Sequence, residues 1–257
     1  MDHHAEAAAS ANLRRKVAHG ALIVLVALVS GGSQAVDSSL RTLHLVATHP
    51  LTISEPSDLT MGDSSKTLWT VTNKPAKVYQ LDLDGNVIKT LSYEGRDLEG
   101  IVYDASSRTL WVTEERSREV VHLSLDGEVM GRTTLDLPGK PNHGPEGICL
   151  DDRGRMFVVN EKDPGLFLEL DKGHAIQARR ALSFAGDYSG ITWDRKKGCF
   201  WIVSDESQKL YLWSKSKGVL AEFALPFAKA EGVAVDEAAQ LVYVVSDAEN
   251  KLYVYHL

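Results

Sequence analysis

Three Glu-Gly pairs, Glu99-Gly100, Glu146-Gly147 and Glu231-Gly232, recur in one setting: each glutamate lies twelve residues before a large aromatic residue, or eleven for Glu146. Ser57 and Ser189 hold the same position in two further copies of the pattern. A second set lies four residues after each aromatic: Asn73, Glu115, Glu161, Asp205 and Asp247, preceded by the polar residues Thr72, Glu114, Asn160, Ser204 and Ser246. If the two sets meet, carboxylates crowd around one point. Crowded carboxylates hold either protons or a cation. A hard cation such as Ca²⁺ accepts oxygen ligands in loose geometry, and the lack of clustered His and Cys argues against zinc. Glu99, Glu146 and Glu231 are therefore candidate Ca²⁺ ligands. Asn73, Glu115, Asn160, Glu161, Asp205 and Asp247 are candidate ligand-binding residues. A purely structural alternative stays open, in which the Glu-Gly pairs are turns whose carboxylates accept backbone N–H bonds. No catalytic residue is assigned. His143, in the loop "KPNHGPEG", could act as a base, but nothing in the sequence pairs it with a partner.

These positions need a scaffold that repeats. The anchor aromatics are Trp69, Trp111, Phe157, Trp201 and Tyr243, spaced by 42, 46, 44 and 42 residues. A period near 40–45 with several short strands in each copy is the pattern of a β-propeller. Stretches such as "LWVTE", "CFWIVSD" and "LVYVVSD" are β-branched and aromatic, and Asp84-Gly85 and Asp126-Gly127 mark turns. The expected fold is all-β, a five-bladed propeller with repeats at about 57–96, 97–143, 144–186, 187–229 and 230–257. The last repeat ends after three strands, which would leave an open edge. Residues 41–51, "RTLHLVATHPL", read as one lone strand and are expected to complete that blade and close the ring. In such a blade the innermost strand begins on the face to which the second-to-third-strand turn returns. Both polar sets should then surround one mouth of the central channel.

The chain has 257 residues and a net charge of −7, which argues against a nucleic-acid partner. Residues 1–35 stand apart from residues 36–257, the single propeller domain. They contain a basic stretch at Arg14, Arg15 and Lys16, an apolar run from Gly20 to Val29, and small residues at Ser33 and Ala35. This is the layout of a secretory signal, and the run is only about half the roughly 20 residues that span a bilayer, which favours a cleaved signal over the alternative of an uncleaved anchor. The protein is expected in the periplasm, or at the inner membrane if the segment is retained. Cys149 and Cys199 sit in apolar strand patterns and read as buried small hydrophobes. Trp69, Trp111, Trp193, Trp201 and Trp213 read as core between blades.

The segments "WTVTNKPAKVYQLDLDGNVIKTL" (69–91), "DLEGIVYD" (97–104), "GPEGICLD" (144–151), "NEKDP" (160–164), "DYSGITWD" (187–194) and "AEGVAVD" (230–236) resemble the SdiA-regulated (YjiK-like) family of bacterial exported β-propellers. The resemblance covers about residues 44–257. It implies the propeller fold and a hydrophobic N-terminal segment near the inner membrane, and it implies no reaction.

Three functions remain open from sequence. The first is a monomeric, non-catalytic module that binds a small ligand, an envelope protein or a cation at the channel mouth. The second is a calcium-dependent hydrolase or lactonase-like enzyme, in which the ion would polarise a carbonyl or phosphoryl oxygen. The third is a propeller face that docks a protein.

Overall fold

The structure is a computed structural model that describes residues 40–257. The segment read as an export signal or anchor lies outside the described residues. Among the described residues no helix is long and apolar enough to cross a membrane.

Strands β1 (Leu40–Thr42) and β2 (His44–Pro50) precede the first blade. Blade one is β3 (Pro56–Met61), β4 (Leu68–Thr72), β5 (Lys77–Leu81) and β6 (Val87–Glu94). Blade two is β7 (Leu98–Asp104), β8 (Thr109–Glu114), β9 (Glu119–Leu123) and β10 (Val129–Thr134). Blade three is β11 (Pro145–Leu150), β12 (Met156–Asn160), β13 (Leu166–Leu170) and β14 (Ile176–Ala181). Blade four is β15 (Gly190–Asp194), β16 (Cys199–Ser204), β17 (Lys209–Ser214) and β18 (Gly218–Ala224). Blade five is β19 (Ala230–Asp236), β20 (Leu241–Ser246) and β21 (Lys251–His256), completed by β2.

The five-bladed propeller is therefore closed by its N-terminal strand. β2 runs antiparallel to β21, with His44 opposite His256 and Pro50 opposite Lys251. One detail differs from the sequence reading. Residues 41 and 42 leave the last blade and lie in β1, which pairs in parallel with β18 as a fifth strand of blade four. Leu43, buried between the two strands, joins the cluster between blades four and five and fixes this crossing.

Packing explains the repeat. Five apolar clusters fill the five interfaces between blades. Each anchor aromatic (Trp69, Trp111, Phe157, Trp201 and Tyr243) is buried in one of them. Trp213 is buried as well, whereas Trp193 is only half-buried. Cys149 and Cys199 are free and buried. Each blade buries its faces only against its neighbours, so stability depends on an unbroken ring.

Candidate functional site at the channel mouth

The glutamates reach the mouth through irregular pairing. The register between first and second strands slips at Pro56/Asp58, Leu98/Gly100, Pro145/Ile148 and Ala230/Gly232. Ser57, Glu99, Glu146 and Glu231 occupy these slips. A β-bulge removes a residue from the ladder and re-aims its side chain. Blade four has no slip between its first two strands, and its Ser189 precedes β15.

The glycines have a separate role. A Cβ on Gly100 would lie 2.0 Å from the carbonyl oxygen of Glu146, and one on Gly147 would lie 2.6 Å from the amide nitrogen of Ile191. A Cβ on Gly190 would lie 2.4 Å from the Glu231 carbonyl, and one on Gly232 would lie 2.5 Å from the backbone of Asp58. Innermost strands of adjacent blades thus touch backbone to backbone at this level. Blade one breaks the rule with Asp58. Its fully buried carboxyl accepts the Ile101 N–H at 2.9 Å. The amides of Leu59, Ile148 and Val233 surround it at longer range and favour its charged form, but burial outweighs them and raises its pKa well above the usual range. Its Oδ1 has no partner with hydrogen-bonding geometry. Asp58 gathers amides from the innermost strands of blades one, two, three and five.

At the mouth lies a cavity of about 360 Å³. It brings together Glu99, Glu146 and Glu231, and from the second set Asn73, Glu161, Asp205 and Asp247, whereas Glu115 is buried outside the cavity wall, beside Glu146 and Glu161. Its wall carries nine carboxylates and three lysines. Two of those lysines are already engaged. Lys162 spans Glu161 at 2.7 Å and Glu206 at 2.8 Å, and Lys229 pairs with Asp205 at 2.9 Å. The carboxyls respond to this imbalance. Burial first, then Asp97, Glu115 and Glu231, push Glu99 well up. Burial, Glu99, Glu231, Glu161 and Glu115 do the same to Glu146. Burial raises Glu231 to about 7, with Asp205 and Asp187 adding to it while Lys229 and Ser189 oppose. Burial raises Glu115 to about 7, aided by Asp97 and Glu161 and opposed by the Gly144 N–H, which it accepts at 3.0 Å. Burial also raises Asp187 and Asp247.

The hydrogen bonds weigh against the structural-turn reading of the Glu-Gly pairs. Glu99 accepts from Asn73 Nδ2 at 2.5 Å and is also stabilised by the Ser57 hydroxyl. Glu231 is stabilised by the Ser189 hydroxyl and lies 3.6 Å from Lys229 Nζ. Glu146 makes no side-chain hydrogen bond or ion pair within the described residues. Two groups bring carboxylate oxygens within 4.8 Å of one another: Asp97, Glu99 and Glu115, and Glu115, Glu146 and Glu161. Oxygens around one Ca²⁺, each about 2.3–2.6 Å from the ion, stand at most about 5 Å apart, so either group is compact enough to share one. Glu231 falls in neither group.

Other polar positions of the repeat turn away from the cavity. Asn160 is fully buried and donates to the carbonyls of His143 at 3.1 Å and Pro164 at 2.9 Å, so it ties loops together. Ser204 donates to Asp187, Ser246 to the Ala228 carbonyl and Thr72 to the Pro75 carbonyl. Glu114 takes hydrogen bonds from Tyr93 at 2.5 Å, Arg96 N–H at 3.1 Å and Arg132 at 3.2 Å. His143 is buried outside the cavity wall, its Nδ1 3.3 Å from Asp163.

Sequence reasoning missed Glu55, Asp187 and Lys229, which also line the mouth. All three stand two residues before the Ser57/Glu99 position of their copies, as does Asp97, so the same repeat arithmetic would have found them. It also missed Asp58, visible as the one residue that is not glycine in the next column: Asp58, Gly100, Gly147, Gly190, Gly232.

Three solved structures resemble the chain at low identity. A Myxococcus xanthus glutaminyl cyclase aligns with TM-score 0.67 and 14% identity over 84% of this chain and 96% of that one. A Xanthomonas campestris gluconolactonase aligns with TM-score 0.58 and 13% identity over 86% and 96%. A streptogramin B lyase aligns with TM-score 0.51 and 17% identity over 82% and 72%. At such identity the likeness speaks to the propeller fold alone. The SdiA-regulated family profile, in contrast, matches residues 43–256, the whole described ring but for its first strand. The chain belongs to the SdiA-regulated family.

Proposed function

We infer that this protein is a ligand-binding propeller whose acidic mouth holds a divalent cation, with Ca²⁺ the best chemical match. One observation carries the reading. Nine carboxylates face three lysines across a single cavity, and the innermost carboxyls are held above their usual range by burial and by one another. A hard cation relieves that repulsion and suits an all-oxygen wall. Glu115, Glu146 and Glu161 are the best-placed ligand set, with Glu99 and Asp97 beside them. Ca²⁺ takes six to eight oxygen ligands, so a small ligand or a partner's carbonyl could supply oxygens beyond those of the carboxylates.

The export-like N-terminal segment supports a site of action in the bacterial envelope, where free calcium is plentiful compared with the cytoplasm (this bears on the choice of ion, not on the fold). The enzyme alternative has one observation in its favour. Glu115 and Glu231, at about 7, lie where a general base works best. Thermal melting tests the cation reading. Ca²⁺ should raise the melting temperature over chelator, and Glu146→Gln should blunt that response without unfolding the ring. A hydrolase and lactonase screen with and without chelator then separates binder from enzyme: calcium-dependent turnover lost in Glu115→Gln favours the enzyme.

A further inference from the structure

A second cavity, of about 310 Å³, lies between blades three and four and shares no residue with the acidic mouth. That volume is at the lower end of the roughly 300–1,000 Å³ typical of small-molecule pockets. Its chemistry is the opposite of the mouth's. Phe157, Phe200 and Trp193 provide aromatic surface, and Arg155, Arg180 and Lys215 provide positive charge.

The aromatic surface is fixed by packing. Phe157 and Phe200 are buried with ring centroids 5.1 Å apart, and Trp193 meets Phe200 edge-on at 4.8 Å. The three cations are not equivalent. Arg155 is held by Asp151 at 2.6 Å and lies over the Phe157 ring, 5.6 Å from its centroid. Lys215 is held by both oxygens of Glu169 at 2.9 Å. Arg180 is exposed and makes no ion pair or side-chain hydrogen bond among the described residues. The indole N–H of Trp193 likewise has no acceptor. Two cations are neutralised in place, and among the described residues one positive charge remains free beside an aromatic wall of mutually edge-on rings, of which Trp193 is the most exposed. That combination recognises one negative charge attached to one aromatic ring, since a guanidinium pairs best with a planar carboxylate and an aromatic wall with a ring.

We propose that this cleft binds small aromatic monocarboxylates, with the carboxylate on Arg180 and the ring against Trp193 and Phe200. Phenylacetate is the probe and phenylacetamide its neutral counterpart, followed on the full propeller by saturation-transfer NMR and by tryptophan fluorescence. Phenylacetate should bind saturably, and phenylacetamide about tenfold more weakly or worse, a factor that corresponds to about 1.4 kcal/mol. Arg180→Ala should abolish that preference with the melting temperature unchanged, because the side chain is exposed and unpaired. Trp193→Phe should remove most of the fluorescence response while the NMR signal persists. Binding should be the same with Ca²⁺ or chelator, which separates this cleft from the mouth. The proposal is overturned if the parent does not bind phenylacetate at millimolar concentration, if both probes bind equally, or if Arg180→Ala leaves the preference intact.

Discussion

Raising the pH from 5 to 8 in the presence of chelator should destabilise the ring, and Glu231→Gln should remove part of that loss. Glu231 has a side chain only 13% exposed, and its pKa is raised from 4.5 to about 7. A carboxyl that holds its proton more tightly in the folded state favours folding fully below about pH 4.5, and that contribution is lost as pH rises through about 7. The shift corresponds to about 3 kcal/mol at the upper bound, at 1.36 kcal/mol per unit. For a domain of this size that is about 6–12 °C in melting temperature. Glu115 has the same sign and the same raised value, and Glu99 and Glu146 are raised too. The carboxyls with lowered pKa, such as Asp151, Asp194 and Glu206, act at lower pH and leave this window clear. His122 and His174, lowered by burial, pull the other way as pH rises toward the ordinary histidine value of 6.5, so the comparison with a variant matters. The assay is circular-dichroism melting of parent and Glu231→Gln in chelator at both pH values. The variant should match the parent at pH 5 and melt higher at pH 8. A variant that melts lower than the parent by the same margin at both values would refute the idea that the mouth carboxyls repel one another.

Three further outcomes follow from the packing. Gly100→Ala should cost about 3 kcal/mol in a denaturant titration, because the new Cβ would sit 2.0 Å from the Glu146 carbonyl and only backbone movement can relieve it; a cost below about 0.5 kcal/mol would contradict the close approach. Asp58→Ala should cost about 2 kcal/mol, since it leaves the Ile101 N–H buried without its acceptor, and parent-like stability would show that the axial carboxyl is dispensable. Deleting residues 36–50 removes β1 and β2 and exposes the edges of β18 and β21. That protein should aggregate or lose several kcal/mol of the roughly 5–15 kcal/mol typical of a domain, and a parent-like melt would place the closure elsewhere.

Fold and site were legible to different depths. Trp69, Trp111, Phe157, Trp201 and Tyr243 announced five blades because each must fill an interface between neighbours, and a large aromatic residue returning every 42–46 positions is visible without coordinates. The lone strand at 41–51 was legible because an unpaired edge on the last blade demands a partner. The parallel pairing of Leu40–Thr42 with blade four was not, since three exposed residues carry no pattern that selects one edge over another. The glutamates were legible as a set, but the cause of the Glu-Gly pairing was not. Sequence spacing cannot tell a bulge that turns Glu99 into the channel from a turn that caps it, because both keep the same residues adjacent. Asn160 was placed at the mouth as the polar neighbour of Glu161, yet it turns inward to tie two loops together.

A cation site among the mouth carboxyls is tested most directly by a calcium titration of the folded protein by calorimetry near pH 7, repeated in buffers of different ionisation enthalpy. If the mouth carboxyls are held protonated by burial and mutual repulsion, an ion that binds among them must displace protons. The titration should show a saturable site, a buffer-dependent heat that reports proton release, and loss of both in Glu146→Gln combined with Glu115→Gln. Absence of calcium binding, or binding whose heat is the same in every buffer, would contradict it.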